Sequence, residues 1–454
     1  MTTLTPERRG WFADVVLYLV AQSLSLFGSA IVGYSVVWHI TLKTGSGGQF
    51  ALLLIASSLA MALTTIPGGV WADRYWRKAL MIGADAGVAL VTTVLAAFML
   101  TGNESVWLIA AALALRGLGG GIQAPAVSAA LPQIAPADKL LRVNSVGQAI
   151  AALTQVAAPV LAAFLLMVLP LGWILMVDVV TAVIAIAVTT FIRIPRLKLD
   201  PDAPKPAGLA GYFRQQGEAV GYAWRIPGLR RALAIVILLM TVVVPFAQMT
   251  PVFVVRLYGT QQWMLAAAES TWSVGMVVGG VAMAIWGGLR NRMTMVMVAS
   301  AAIAVTTMAM GFMPSIWWFL AVMVLQGLTL PMLNTPAVTA LQEHIPEAMM
   351  GRMMGFVTLV TTVCGPVGMA VVGPLADRLD LSWMALSCGG AGLLVLVGLA
   401  VRGGPGARLY PPGPPATAEP AAAEPPDPAV MPEPAVMPEP PDPAGPPGPP
   451  ATAG

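Results

Sequence analysis

The chain has 454 residues, of which 57% are hydrophobic and 10% are charged. Soluble domains carry roughly 25% charged residues, so this composition excludes an ordinary soluble protein and indicates a bilayer as the solvent. Two cysteines and two histidines are too few for a disulfide framework or a histidine-rich metal site. The net charge of +3 is small, and its meaning depends on where the charges lie.

Twelve apolar stretches follow one another along the chain, and each has the roughly 20 residues that a helix needs to cross about 30 Å of hydrocarbon. We interpret the first as a retained span, because it is too long for the apolar part of a signal peptide and no small-residue cleavage site ends it. The predicted spans are 12–40, 50–71, 79–100, 106–130, 143–168, 171–192, 232–255, 263–286, 293–312, 315–340, 353–375 and 382–401.

Lysine and arginine concentrate in alternate connections between these spans. If the N-terminus is cytoplasmic, twenty of the 24 cations fall in cytoplasmic segments and Arg116 lies inside the fourth span. Only Lys43, Arg256 and Arg378 fall on the outer side. Because cytoplasmic loops of membrane proteins carry an excess of Lys and Arg, this placement predicts a multi-pass protein of the bacterial inner membrane with both termini in the cytoplasm.

Two stretches interrupt the regular succession of spans. Residues 193–231 form a charged segment after the sixth span, which we predict to be a cytoplasmic loop between an N-terminal half, 1–192, and a C-terminal half, 232–402. Residues 403–454 are rich in Pro and Ala and contain no cation after Arg408. Such a sequence cannot bury a core, so it predicts a disordered cytoplasmic tail, with partner docking as the alternative.

An internal repeat relates the two halves. RGLGGGIQAPAVSAALPQIAPADKLLR, which begins at Arg116, resembles QGLTLPMLNTPAVTALQEHIPEAMMGR, which begins at Gln326. The two share a GL pair, a PAV-[S/T]-A element and a terminal Arg, and they lie about 210 residues apart (326 minus 116). The repeat aligns the fourth span with the tenth and predicts an all-α membrane protein of two pseudo-symmetric six-helix bundles, a known transporter design.

The connection after the second span reads GGVWADRYWRK. An acid among cations at a helix end can hold two helices together through charge-assisted hydrogen bonds, although simple positive-inside anchoring is the alternative. The sequence matches the G-x-x-x-D-R-x-x-R-[R/K] signature of the major facilitator superfamily, and the corresponding WGGLRNRM of the second half lacks the acid. The resemblance implies a conformational latch made by Gly69, Asp73, Arg74, Arg77 and Lys78, to which we add Asp85.

More closely, the chain resembles the macrolide-efflux branch of drug transporters and relatives that export siderophores and other secondary metabolites. The resemblance covers about residues 15–400 and rests on elements such as AQSLSLFGSAI, ALRGLGGGIQAPAVSA, AESTWSVGMVVGG and MMGRMMGF. It implies proton-driven export of amphipathic compounds by alternating access. The fifth span departs from the GP-x-x-GG element common in drug antiporters, since it reads TQVAAPVLAA.

Ionisable residues inside spans are costly and are therefore candidates for function. Glu269, Asp178 and Arg116 are the candidates for proton coupling, because a carboxyl in low dielectric can take up and release a proton. Glu269 is alternatively a structural hydrogen-bonding group, and Asp178 alternatively pairs with a neighbouring helix. We expect Arg116 to face a central cavity, where it would hold a carboxylate ionised or contact an anionic group of a substrate.

Polar residues of the first, fourth, seventh and tenth spans are candidates for lining that cavity, with helix packing as the alternative for each. They are Gln22, Ser25, Tyr34, Gln123, Gln248, Gln326 and Asn334.

The sequence therefore predicts a monomeric exporter of amphipathic small molecules, such as macrolide-type antibiotics, that is driven by the proton gradient. It predicts no enzyme, no cofactor, no metal and no nucleic-acid partner, because no HExxH, Ser–His, paired-carboxylate or phosphate-loop motif occurs. Two alternatives stay open. One is a dedicated exporter of an endogenous metabolite or siderophore, and the other is a receptor or scaffold that has lost transport.

Overall fold

The computed structural model describes residues 10–195 and 237–403, except positions 290, 313 and 346, together with a few single positions between 214 and 234. The predicted central loop and the predicted tail lie almost entirely outside the described residues. All regular elements in the described part of the chain are helical.

Six long helices make up the first bundle. Ser46 starts the second by accepting a hydrogen bond from the Gln49 amide, and Gly45 ends the first in a left-handed conformation (φ 59°) that suits glycine. The helices are α1 (Trp11–Thr44), α2 (Gly47–Arg74), α3 (Arg77–Leu100), α4 (Val106–Ile134), α5 (Leu140–Val168) and α6 (Leu171–Phe191).

The second bundle repeats this order with one broken span. A π-helical turn, Leu239–Val243, leads into its first helix. The helices are α7 (Val244–Gln248), α8 (Thr250–Leu257), α9 (Gln262–Trp286), α10 (Arg292–Ala309), α11 (Ile316–His344), α12 (Glu347–Ala376) and α13 (Leu381–Gly403).

The described residues contain eleven continuous helices long and apolar enough to span a membrane, and the bent α7–α8 segment brings the number to twelve. The prediction of twelve spans is confirmed, but the prediction that 232–255 is one helix is wrong, because α7 and α8 meet at an angle of 44°. Pro245 and Pro251 lack the amide protons that a continuous helix would use, so the backbone bends between them.

Two glycines 210 residues apart show that the repeat seen in the sequence is also a repeat of packing (327 minus 117). A Cβ atom on Gly117 of α4 would collide with the backbone carbonyl of Ser57 on α2. A Cβ atom on Gly327 of α11 would collide with the backbone carbonyl of Trp272 on α9. In each bundle, glycine lets the fourth span lie directly against the second, as small residues do in membrane helix pairs.

The buried apolar clusters differ between the two ends of the helices. We call the end with the α1–α2, α3–α4 and α12–α13 connections the distal face, and the end where α1 begins the proximal face. At the distal face one buried apolar cluster includes Val36 of α1, Phe50 of α2 and Ala162 of α5, together with Val252 of α8 and Ala376 of α12. This cluster joins the two bundles.

At the proximal face the described core is divided. One cluster, which includes Tyr18, Met81 and Ile134, draws only on the first bundle. Another, which includes Met293, Leu333 and Leu396, draws only on the second. The bundles therefore share a core at the distal face, whereas these two proximal clusters stay separate.

Exposed tryptophans mark where the distal face meets the lipid headgroups. Five helices that begin at this face carry one within their first three residues, where an amphipathic ring suits the membrane interface. They are Trp107, Trp173, Trp263, Trp317 and Trp383.

Candidate functional site

A cavity of about 700 Å³ lies between the two bundles. Its wall is largely apolar and aromatic, with Tyr34 and Trp38 from α1, Phe50 from α2, and Trp272 from α9. The rings of Tyr34 and Trp38 pack with centroids 5.4 Å apart. A concave, mainly apolar wall with a few polar groups is typical of a site for a drug-sized molecule.

Glu269 is the one Asp, Glu, Lys, Arg or His side chain among the described residues that line the cavity. It lies two turns into α9, and Tyr34 of the opposite bundle is close enough to interact with it electrostatically. None of the described residues forms an ion pair or hydrogen bond with its carboxylate. The cavity therefore presents a single carboxyl group that is open to a proton or to a cationic ligand.

Three of the candidate residues, Tyr34, Gln248 and Gln326, line this cavity. Gln326 is 4% exposed, and its amide nitrogen lies 3.4 Å from the hydroxyl of Thr307 as a hydrogen-bond donor. Gln248 lies beside the break between α7 and α8, and Thr250 on the other side of the break also lines the wall.

The sequence candidates come from the first, fourth, seventh and tenth spans, so lining residues on other helices are not among them. One of these is Gln155 of α5, which contributes a polar group to the wall. Residues of α2 also line the wall, and they follow the i, i+3, i+4, i+7, i+8 spacing of one helix face. This spacing is the sequence signal from which they could be predicted. These residues are Phe50, Leu53, Leu54, Ser57 and Ser58.

Four predicted lining residues lie elsewhere. Asn334 is exposed and does not reach the cavity, and Gln22 directs a buried amide nitrogen to a place without a hydrogen-bond partner among the described residues. Ser25 and Gln123 turn into the interior of the first bundle, where both donate to Asp85. These four residues are not among those that line this cavity, and Ser25 and Gln123 contribute to packing inside the first bundle instead.

Asp85 lies in that polar cluster and not in the α2–α3 loop. Its Oδ1 atom accepts hydrogen bonds of 2.7 Å from Ser25 of α1 and from Gln123 of α4. The residue is 3% exposed and sits two turns into α3. We therefore remove Asp85 from the predicted latch, since its described hydrogen bonds tie α1, α3 and α4 together inside the bundle.

Arg116 and Asp178 form a buried ion pair between α4 and α6, with 2.5 Å between Nη1 and Oδ2. Thr92 of α3 and Ser29 of α1 also donate to the Asp178 carboxylate, at 3.2 and 3.3 Å, and Arg116 donates to the Thr92 hydroxyl. A Cβ atom on Gly28 would lie 3.0 Å from Asp178, so the glycine keeps α1 close. Four helices thus meet at one ion pair.

The prediction that Arg116 faces the central cavity is therefore wrong. It is 9% exposed and does not line the cavity, because Asp178 supplies its counter-ion inside the first bundle. The open alternative for Asp178, pairing with a neighbouring helix, describes what the structure shows.

The cations that begin α3 bind backbone carbonyls near the proximal ends of other helices. Arg77 donates to Ala129 at 2.7 Å and to Ala72 at 3.0 Å, and Lys78 donates to Thr190 at 2.6 Å. Cations are favoured at helix C-terminal ends, where carbonyl groups are unpaired. These bonds tie α3 to the ends of α2, α4 and α6.

Asp73 takes little part in this arrangement. Its side chain is 63% exposed and lies 3.9 Å from Arg77, and Arg74 is exposed as well. A Cβ atom on Gly69 would meet open space, whereas one on Gly68 would lie 2.6 Å from the Gly121 carbonyl on α4. The close helix contact at this motif therefore depends on Gly68.

Known proteins resemble this chain over most of its length. Macrolide efflux protein A of Streptococcus pyogenes is 26% identical over 385 residues, which cover 83% of this chain and 93% of the relative. Multidrug efflux pump Tap of Mycobacterium tuberculosis is 23% identical over 385 residues, which cover 81% of this chain and 88% of the relative.

Solved transporter structures share the fold. The nucleoside transporter NupG superposes with a TM-score of 0.65 at 12% identity, covering 86% of this chain and 98% of its own. A peptide transporter of the POT family superposes with a TM-score of 0.67 at 13% identity, covering 88% of this chain and 96% of its own.

The family model of the Major Facilitator Superfamily matches residues 18–369 and, in a second match, 260–432. The two bundles, the internal repeat and the cavity between them agree with that match. The chain is a multi-pass membrane transporter and not an enzyme, and it belongs to the Major Facilitator Superfamily.

Proposed function

We propose that this protein exports amphipathic small molecules, macrolide-type antibiotics among them, from the bacterial cytoplasm in exchange for protons. The observation that carries the proposal is the cavity of about 700 Å³ with its aromatic wall and its single carboxyl group. Apolar and aromatic walls suit the apolar part of such a molecule, and polar groups from Tyr34, Gln155, Gln248 and Gln326 suit its hydrogen-bonding part. The names of the two efflux relatives agree with this class of substrate.

Glu269 is the proposed coupling group. An intramembrane carboxyl without a counter-ion favours the neutral, protonated form, because burying an isolated charge is costly. A basic group on the substrate, or contact of the carboxyl with water, would favour the ionised form by stabilising its negative charge. Substrate and proton would therefore compete for one side chain, which is the requirement for exchange.

The charge distribution supports an orientation of the protein in the membrane. The described cations near helix ends at the proximal face include Arg74, Arg77, Lys78, Lys139, Arg142 and Arg292, whereas those at the distal face are Lys43, Arg256 and Arg378. We assign the proximal face to the cytoplasm on the positive-inside preference, and both termini with it. Among the described residues, the buried cluster that joins the two bundles lies at the distal face, so we infer that the cavity in this conformation is closed toward the outside. Alternating access would require the opposite arrangement at another stage.

Purified protein in proteoliposomes with an imposed pH gradient tests the proposal. We expect gradient-driven movement of a macrolide, and its loss when an uncoupler collapses the gradient. Glu269→Gln should abolish accumulation against the gradient. Its matched control is Glu104→Gln, which changes a glutamate that pairs with Lys43 and His39 at the distal face, away from the cavity. A susceptibility panel in an efflux-deficient host would extend the test to other drugs. Gradient-independent movement, or none for any amphipathic compound, would contradict the proposal.

A further inference from the structure

Asp377, just beyond the end of α12, binds the start of α2 in the other bundle at the distal face. Its Oδ1 accepts a hydrogen bond of 2.7 Å from the Gly47 amide, and its Oδ2 accepts bonds of 2.8 Å from the Gly48 amide and the Ser46 hydroxyl. The first amides of a helix lack internal partners and carry partial positive charge, so a carboxylate at this position is stabilised. One carboxylate thus satisfies the N-terminus of a helix in the opposite bundle.

Arg256, in the last turn of α8, completes the contact. Its guanidinium donates to Asp377, to the Ala376 carbonyl at 2.6 Å and to the Gly45 carbonyl at 2.6 Å. Gly45 ends α1, so Arg256 also connects the two bundles. The planar fork of Arg fits this set of three acceptors, which a lysine ammonium would not reproduce.

Small residues bring the backbones together beneath these polar contacts. A Cβ atom on Gly47 would lie 2.7 Å from the Gly373 carbonyl and 2.9 Å from the Cβ of Ala376. A Cβ atom on Gly373 would collide with the Cβ of Ala51. The distal ends of α2 and α12 can therefore approach only because glycines face each other there.

We propose that Asp377 and Arg256, with Ser46, Gly47 and Gly48, form a distal clasp that holds the outer side of the transporter closed and must open in each export cycle. The proposal rests on the proposed function in two respects: it takes the distal face as the external one, and it takes transport to proceed by alternating access. Every polar bond of the clasp from Asp377 to α2, and from Arg256 to Gly45, crosses between the bundles. By contrast, the Glu104 pairs with Lys43 and His39 stay within the first bundle.

The electrostatics of Asp377 agree with a persistent closed contact. Partial burial acts to raise the pKa of its carboxyl, but the hydrogen bonds from Gly48, Ser46, Gly47 and Arg256 outweigh it, so the pKa is lowered. The carboxylate is therefore ionised throughout the physiological range, and the clasp does not depend on a proton.

Access of an external reagent to the cavity tests the clasp without substrate or gradient. Ser58 lines the cavity, so Ser58→Cys, in the full chain with Cys364 and Cys388 replaced by serine, reports whether the outer side is open. Intact cells are exposed to a membrane-impermeant maleimide and the rate of labelling is measured. We expect Asp377→Asn to raise that rate about tenfold, because charge-assisted bonds are stronger than neutral ones. Ser46→Ala should give a smaller rise, and Glu104→Gln should leave the rate unchanged.

A charge swap distinguishes capture of the helix end from a simple ion pair. Asp377→Arg combined with Arg256→Asp would restore a pair of opposite charges, but it would place a cation against the α2 amides. We expect fast labelling in the swapped chain. Parental labelling rates in Asp377→Asn and Ser46→Ala, in variants inserted at parental levels, would overturn the clasp, and a parental rate in the swap would overturn the helix capture. Fast labelling of the parent itself would show that the distal face is not closed to the outside. Failure of drug transport would leave these measurements intact.

Discussion

The ion pair between Arg116 and Asp178 is expected to hold the first bundle together. Its removal should therefore lower the free energy of unfolding, and we do not expect it to act directly in proton coupling. The two side chains are 8% and 1% exposed, and the pair joins helices that two further hydroxyl groups also connect. Removing one partner of such a buried pair typically costs about 3–5 kcal/mol, because the other charge stays buried without compensation. Asp178→Asn keeps an oxygen that can accept from Thr92 and Ser29, so we expect the lower end of that range.

Thermal unfolding of the purified protein measures this loss. For a chain of this length, a change of about 3 kcal/mol corresponds to a fall in Tm of roughly 4 °C. Asp178→Leu combined with Arg116→Met should recover most of the loss, because an apolar pair of similar volume leaves no charge buried. Asp138→Asn is the matched control, since its partner Lys139 is half exposed and the pair contributes little. An Asp178→Asn protein of unchanged Tm that no longer couples transport to the gradient would refute the structural role and make Asp178 the coupling residue.

Four further outcomes are expected. Glu269→Gln should still bind substrate and exchange it but should not accumulate it against a gradient in proteoliposomes; persistent gradient-driven export would exclude Glu269 as the coupling group. Gly117→Ala should destabilise the protein by about 1–3 kcal/mol through collision with α2, whereas Gly120→Ala, which meets open space on the same helix, should be neutral or slightly stabilising in the same thermal assay. Asp73→Asn should slow export if Asp73 belongs to the latch. It should not lower the amount of inserted protein, because this exposed side chain contributes little to the fold shown here. Normal export rates would remove Asp73 from the latch. The rate at which the external reagent labels the cavity should not change between pH 8 and pH 5. Because the pKa of Asp377 is lowered, its carboxylate bonds are fully present above the ordinary Asp pKa of about 3.9 and are lost only as the pH falls through the lowered value. A rise in the labelling rate near pH 6 would contradict the clasp as described.

The spans and their pairing could be predicted from the sequence because they depend on properties that a sequence carries locally. Hydrophobic length predicts a membrane helix, and the repeat beginning at Arg116 and Gln326 predicts the two bundles. The break at Met249 was missed although Pro245 and Pro251 surround it, because hydropathy over 232–255 does not register a lost hydrogen bond.

The functional side chains were predicted less well, and the reason is geometric. A membrane helix that is apolar on all sides gives no sign of its rotation, so Tyr34 and Ser25 of α1 look alike in the sequence although one lines the cavity and the other binds Asp85. The partner of Arg116 lies 62 residues away on α6. Only the packing of four helices reveals that this charge is already compensated.

The bend in the seventh span connects the cavity with the distal clasp. Irregular backbone at membrane depth is tolerated where it lines a cavity, and the break is placed there, with Gln248, Thr250 and Pro251 on the cavity wall. The helix that follows, α8, has eight residues and ends one residue after Arg256. Since Pro251 and Arg256 are five residues apart, they are separated by only about 8 Å along the helix axis. Pro251 on the cavity wall and Arg256 in the distal clasp therefore belong to one short helix, which joins the two sites without any intervening loop.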